Sequence, residues 1–245
     1  VLAHVHAEHL FRDSPHLFYH LGPEDCAALA AREGVGGGRE PQLEALRPGL
    51  RVLTYVTFAV GGMCLTVPWN CINGAVAVFT AALGRESYIL IQAAYYLPAL
   101  PVLLLQTRYD SEFDKRFGLR ATYSFRTAFN GAMLALSVAQ FAVVPISLGP
   151  TLALVACIGL FQAFAFGALC QVAARFSPAC VVVFNVGYQM SPLFVLALTE
   201  ASGFVRDVPL EGSTVAYWAG GAGAALLGAC AVLLLILRSH VGRLF

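Results

Sequence analysis

Uncharged polar and aromatic side chains form three short clusters inside otherwise apolar stretches of this sequence. In chain order, the clusters are Trp69, Asn70 and Asn73; Gln92, Tyr95 and Tyr96; and Asn185, Tyr188 and Gln189. Such spacing places the members of each cluster on one face of a helix. Polar groups in hydrocarbon cost free energy unless they find partners or line a wet cavity. The clusters therefore predict a shared solute pathway.

The chemistry of these side chains suits a neutral, planar solute that forms hydrogen bonds. Amides both donate and accept hydrogen bonds, tyrosines add hydroxyl groups, and Trp69 offers a flat face for stacking. Single amides in two further apolar runs extend the set: Gln162 and Gln171, and Asn130 and Gln140. We predict that the solute is bound by Trp69, Asn70, Asn73, Gln92, Tyr95, Gln162, Gln171, Asn185 and Gln189. The alternative is that the amides hold helices together through interhelical hydrogen bonds.

Charged and nucleophilic groups are missing from the middle of the apolar runs. No run carries a central carboxylate, which favours an uncoupled carrier over one driven by protons or sodium. Paired carboxylates, a Ser/His pair and a His/Cys cluster are also missing from these runs, so the sequence predicts neither an enzyme nor a bound metal or cofactor.

The composition predicts an all-α membrane protein with several spanning helices. Of 245 residues, 58% are hydrophobic and 12% charged, and the mean hydropathy is +0.72, whereas soluble domains carry about 25% charged residues. Runs long enough to cross a hydrocarbon core of about 30 Å occupy 52–83, 88–106, 121–144, 150–174, 179–202 and 213–237. Pro68 predicts a kink in the first run. The net charge of +1 gives no basic surface for a nucleic acid.

The first 50 residues differ from the remainder of the chain. They are charged and contain several prolines and the run Gly36-Gly37-Gly38, which predicts a disordered tail. The expected organisation is therefore a tail over 1–50 and a six-span bundle over 51–245. Because the chain begins with Val1 and lacks the apolar core of a signal peptide near its start, we interpret it as a fragment or an incomplete gene model.

Basic residues between the runs predict the orientation in the membrane. Arg and Lys are retained on the cytoplasmic side, and most of them fall on one side of the six runs, including the charged connection from Arg108 to Gly118. Both termini are therefore expected in the cytoplasm, and we expect the plasma membrane as the location. The charged connection has two readings, a salt-bridged gating loop or a solvated turn beside anionic headgroups.

The last run carries small residues every four positions, at Gly220, Ala224 and Gly228. A stripe of this kind lets two helices approach closely in a membrane. We therefore assign the stripe to helix packing.

Several motifs resemble the equilibrative nucleoside transporter family. Gly61-Gly62 followed by Pro68-Trp69-Asn70 resembles the signature of that family's first helix. Phe166 to Gln171 and Ser177-Pro178-Ala179 resemble its fourth helix and the start of its fifth. The resemblance covers about residues 50–240. Gly167 stands where the family has a glutamine, with Gln162 and Gln171 on either side.

The resemblance implies a fold and a function. It implies a major-facilitator-like arrangement of eleven spans, of which this chain would supply the N-terminal six, and movement of nucleosides or nucleobases down their gradients. It also implies that Trp69 lies against the solute, that Asn73 faces the same cavity and that Gln189 matches a family glutamine. The expected partners are then a small solute, the lipid bilayer, and a missing C-terminal half or partner subunit.

Two functions follow from these patterns. The first is facilitative transport by alternating access, in which two helical bundles rock about a site at the membrane midplane. The alternative is a transport-inactive structural or regulatory six-span protein that associates with other subunits through the face of Gly220, Ala224 and Gly228.

Overall fold

The computed structural model describes residues 48–204 and 212–237, and every regular element in these ranges is helical. The α-helices are α1 Pro48–Gly74, α2 Val76–Leu83, α3 Ser87–Phe117, α4 Leu119–Ala139, α5 Leu148–Phe176, α6 Pro178–Ser202 and α7 Ser213–Leu237. A 3-10 turn, Gln140–Ala142, extends α4. Most of the predicted tail lies outside the described residues, as do the charged residues of 205–211 and 238–245 that contributed to the predicted orientation.

Five of these helices are long and apolar enough to cross a membrane. The candidate spans are Gly49–Gly74, Ser87–Asp110, Leu148–Phe176, Pro178–Ser202 and Ser213–Leu237. The helical class that the sequence predicts is thus confirmed, with five candidate spans where six are expected. The run that gives none corresponds to α4, which carries Arg120, Arg126 and Asn130.

The first predicted span, 52–83, consists of two helices. α1 continues through Pro68 and ends at Gly74, and α2 begins at Val76. The interruption therefore lies at Ala75 and not at the proline that predicted a kink. Tyr217 of α7 lies at this interruption: its hydroxyl donates to the carbonyl oxygen of Cys71 at 2.9 Å and packs against Gly74. The amide of Ala75 keeps its own hydrogen bond to that carbonyl oxygen at 3.0 Å.

The charged connection of the sequence analysis is helical. α3 continues from the second predicted span to Phe117, so Gly118 alone separates it from α4. Gly118 has a φ of +80°, a conformation that costs glycine little. The segment is therefore neither a loop nor a turn. Asp110 and Asp114, one helical turn apart, face inward and pair with α4 and α5.

Helix packing follows one pattern in the two halves of the bundle. α1 packs against α6 and α7, whereas α5 packs against α3 and α4, and α4 packs against α7 between the halves. The same pairings result when α1 is exchanged with α5, α3 with α6, and α4 with α7. Repeated groups of three spans are a feature of transporter folds.

Glycines allow the backbones of α1 and α6 to touch. A Cβ atom added to Gly187 would overlap the carbonyl oxygen of Ala59, and one added to Gly62 would overlap that of Phe184. In the other half of the bundle, Gly159 of α5 meets the carbonyl oxygen of Tyr95 on α3 in the same way. These contacts set the spacing of α1 from α6 and of α3 from α5.

The small-residue stripe of α7 packs inside this chain. Gly228 lies against Cys64 of α1, Gly220 lies against Leu198 of α6, and Ala224 is buried. The assignment to packing is therefore confirmed. The face through which the structural alternative would bind another subunit is occupied by this chain's own helices.

We expect Gly187→Ala to destabilise the bundle, by about 1–3 kcal/mol, because the added methyl group must push α1 away from α6. Gly223→Ala is the matched control, since an added Cβ there meets no atom within 4 Å. The measurement is the thermal midpoint of monodisperse protein in detergent. Equal midpoints for the two variants would show that the close contact is unimportant.

Candidate functional site

An aromatic cluster joins α1 to α3. The rings of Trp69 and Tyr95 are stacked, with centroids 3.7 Å apart and an angle of 12° between their planes. Tyr96 places its edge against both, at 5.9 Å from Trp69 and 4.8 Å from Tyr95. Trp69 is only 7% exposed. The indole face that the sequence assigns to a solute is therefore covered by a tyrosine ring in this conformation.

Gln162 of α5 brings an amide to the same cluster. It lies close to the hydroxyl groups of Tyr95 and Tyr188, within range of weak hydrogen bonds. The side chain is 3% exposed, and neither its oxygen nor its nitrogen has a hydrogen-bond partner among the described residues. An unsatisfied buried polar group costs about 1–3 kcal/mol. Among the described residues, the Gln162 amide thus has two tyrosine hydroxyls as neighbours and no well-formed hydrogen bond.

The two asparagines of α1 form hydrogen bonds to neighbouring helices. Asn73 accepts a hydrogen bond from Gln92 of α3 at 3.3 Å, and Asn70 donates to the hydroxyl of Ser191 on α6. Asn70 also donates to the carbonyl oxygen of Thr66, one turn earlier, at 3.3 Å. These side chains therefore connect α1 to both flanking helices, which is what the alternative reading of the amides describes.

The structure joins three of the nine predicted site residues in one cluster, Trp69, Tyr95 and Gln162. Asn73 pairs with Gln92, and Asn70 bonds to Ser191 of α6. The remaining three lie elsewhere. Asn185 donates to the carbonyl oxygen of Val181 on its own helix at 2.9 Å, Gln189 is exposed, and Gln171 belongs to a separate ionic cluster. Sequence reasoning gave Tyr188 less weight than Gln189, yet Tyr188 is the residue of α6 that lies beside Gln162.

The ionic cluster joins the ends of α3, α4 and α5 near Gly118. Asp110 of α3 pairs with Arg126 of α4, with 2.9 Å between the carboxylate and guanidinium groups. Gln171 donates to the other carboxylate oxygen of Asp110 at 2.8 Å and accepts from the hydroxyl of Tyr123 at 2.8 Å. One aspartate is therefore bound by two different helices.

A second carboxylate lies one turn further along α3. Asp114 accepts from the hydroxyl of Tyr123 at 3.3 Å, and the guanidinium of Arg175 lies 5.7 Å from the centroid of that tyrosine ring. Burial raises the pKa of Asp114 above its ordinary value, and Arg126 and Arg175 oppose the rise. The fold therefore disfavours the ionised form of Asp114.

Sequence reasoning missed this cluster, although a signal was present. Asp110 and Asp114 are four residues apart, and neither glycine nor proline interrupts the chain between Pro101 and Gly118. Such a segment continues a helix, and aspartates at this spacing share a face. The high charge of the segment made it look like a loop.

Known proteins offer no guide to this site. No protein family, curated protein or solved structure matches the chain. Within the ranges that the structure describes, no group of three or more His, Cys, Asp or Glu residues could hold a metal ion. The site is therefore interpreted from the geometry of its side chains alone.

The two aspartates should respond differently to loss of charge. Asp110→Asn leaves Arg126 without its partner and should lower stability by about 3 kcal/mol, as in other broken ion pairs. Asp114→Asn should leave the thermal midpoint at pH 7 unchanged or raise it. Because the pKa of Asp114 is raised in the folded state, the folded protein holds this proton more tightly than the unfolded chain does. The contribution of Asp114 to the free energy of unfolding therefore falls as the pH rises from the ordinary carboxyl pKa through the raised pKa. A lower midpoint for Asp114→Asn than for Asp110→Asn would contradict this assignment.

The two glutamines Gln171 and Gln189 provide a second matched pair. Gln171→Leu removes partners from Asp110 and Tyr123, and we expect a loss of about 1–3 kcal/mol for each buried group left unpaired. Gln189→Leu changes an exposed side chain and should leave the thermal midpoint within experimental error. If Gln171→Leu is as stable as the wild type, the hydrogen bonds of the ionic cluster contribute nothing to the fold.

Proposed function

We propose that this chain is the N-terminal, six-span half of a facilitative carrier for nucleosides or nucleobases, related to the equilibrative nucleoside transporters. The observation that supports this most strongly is the unsatisfied amide of Gln162 beside the stack of Trp69 and Tyr95. A buried amide without a partner and an aromatic face within one cluster suit a ligand that both stacks and forms hydrogen bonds.

Tyr95 indicates how such a ligand would be held. Its ring lies parallel to the indole of Trp69, which is the arrangement that a stacked base would adopt. In the proposed cycle the base replaces the Tyr95 ring, and the amide of Gln162 donates to one edge of the base and accepts from it. Stacking of a base on an aromatic side chain contributes about 1–3 kcal/mol. The site therefore suits a planar heterocycle better than a flexible solute.

Alternating access requires two helical bundles that can rock, of which this chain would supply one. The exchangeable pattern of helix pairs fits a half built from two groups of three spans, with α4 as the sixth span. α4 packs against the candidate spans α5 and α7, which argues for the same membrane layer. We propose a cytoplasmic N-terminus, as the positive-inside pattern indicates. We propose the plasma membrane as the location.

The charges of the described residues support uncoupled transport. Trp69, Tyr95, Gln162 and their contacts include no carboxylate, and Asp110 and Asp114 lie at the far end of α3, bound by protein groups. Coupled carriers usually place an acidic residue at the substrate or ion site. The proposed half therefore supplies binding without an ion-coupling group.

Gln162→Leu gives the sharpest test. Expressed from the full-length gene in transporter-deficient cells, this variant should reduce saturable uptake of labelled adenosine or uridine about tenfold, because two hydrogen bonds to the solute contribute about 1–3 kcal/mol. The same variant should keep or raise the thermal midpoint, since it removes an unsatisfied buried amide. Unchanged uptake at normal surface expression would rule out Gln162 as a binding group.

Trp69→Ala should abolish the saturable component of uptake, because it removes the stacking face. Trp218→Ala is the matched control, since Trp218 is equally buried but stacks on Phe141 in another part of the bundle. The comparison is made per molecule at the cell surface. Absence of saturable uptake in the wild-type protein would favour the structural or regulatory alternative.

A further inference from the structure

A groove lies between α3 and α4 on the outside of the bundle. The two helices diverge from Gly118, and α5 forms the floor between them. The groove encloses about 710 Å³, within the range of about 300–1,000 Å³ typical of small-molecule sites. Nothing in the proposed transport cycle uses it, because the cluster around Trp69 and Gln162 contributes no residue to its lining.

Phenylalanine rings form both walls of the groove. Phe113 and Phe117 stack on α3 with centroids 5.8 Å apart, and Phe125 and Phe129 stack on α4 at 5.6 Å. Phe161 of α5 places its edge against Phe129 at 5.9 Å and closes the floor. The exposed lining is almost entirely apolar, because Asp110 and Arg126, which also border the groove, are paired with each other.

The inner part of the groove overlaps the candidate span on α3. The lining on α3 extends from Phe117 to Leu105, a rise of about 18 Å. The candidate span ends at Asp110, so the lining from Asp110 to Leu105, about 8 Å, lies at membrane depth, and Phe113 and Phe117 lie toward the headgroups. An acyl chain that enters from the headgroup region would therefore run along the groove.

A positive charge stands at the surface end of the groove. The guanidinium of Arg116 lies 5.5 Å from the centroid of the Phe117 ring, and Arg116 is exposed. It lies next to the lining residue Phe117, in the last turn of α3. A basic residue near the bilayer surface attracts anionic headgroups.

We propose that this groove binds one acyl chain of an anionic phospholipid, with the chain between the two phenylalanine pairs and the phosphate beside Arg116. The apolar lining, its overlap with a candidate span and the charge at the mouth together select this occupant. A sugar or a peptide would leave its polar groups unpaired against the phenylalanine rings. The groove is thus a lipid site at the Gly118 end of the bundle, independent of the solute site.

Quenching of tryptophan fluorescence by brominated lipid chains tests this proposal. Phe129→Trp places the probe in the groove, and Leu227→Trp on α7 is the matched control. Phe129 lies eleven residues after Gly118 and Leu227 lies ten residues before Leu237, so both stand about 15 Å from the same end of the bundle. Arg120 at that end donates to the carbonyl oxygen of Leu237 at 2.6 Å, which shows that the two helix ends lie side by side.

The 245-residue chain is reconstituted in zwitterionic vesicles that contain a tenth of brominated anionic phospholipid. We expect the groove probe to experience about fivefold enrichment of the brominated lipid over its bulk fraction, the factor that one basic residue near the surface supplies. The control probe should report the bulk fraction. Arg116→Gln should return the groove probe to the bulk fraction as well.

Three outcomes would overturn the proposal. Equal quenching of the two probes would mean that bulk lipid fills the groove without selection. No quenching of the Phe129→Trp probe by any brominated lipid would mean that protein covers the groove. Enrichment that persists in Arg116→Gln would show that Arg116 does not bind the headgroup. Phe125→Trp, one turn nearer the mouth, repeats the measurement if Phe129→Trp does not fold.

Discussion

Direct contact between helix backbones at glycine is the constraint on which this bundle depends. Gly159 lets α5 approach the backbone of Tyr95 on α3, and Gln162 follows one turn later on α5. That contact brings the amide beside the Tyr95 hydroxyl, while the contact of α1 with α6 at Gly62 and Gly187 brings Trp69 into the same layer. The candidate site is therefore a product of close packing, since bulkier residues at these glycines would separate its walls.

The two polar layers of the bundle behave differently because their charges differ. Around Trp69 the groups are neutral, and one of them, Gln162, is left without a hydrogen bond in the conformation seen here. Around Asp110 the groups are ionic: Asp110 is bound by side chains of two helices, and Asp114 accepts from the hydroxyl of Tyr123. Ion pairs in a low-dielectric region are costly to break. The ionic layer is thus suited to holding the Gly118 end of the bundle in one arrangement, whereas the neutral layer is suited to exchanging partners.

Composition and spacing predicted much of this structure. Apolar length placed the starts of α5, α6 and α7 within two residues, and the i, i+3, i+4 spacing found the side chains that meet around Trp69. Periodicity does not reveal which faces of neighbouring helices meet, and for this reason Gln171 and Gln189 were grouped with Gln162. The break at Ala75 lies beside Tyr217, more than a hundred residues away in the sequence, and no local pattern indicates that contact.

The joint at Gly118 has a mechanical consequence. Because a single residue connects α3 to α4, the two helix ends stay within about 7 Å of each other, and the helices can separate only by changing the angle between them. The ion pair between Asp110 and Arg126 lies two turns from the joint and limits how far this angle can open. The ion pair and an acyl chain bound between the phenylalanine pairs therefore both affect the angle between α3 and α4. The lipid composition of the membrane thus influences that angle.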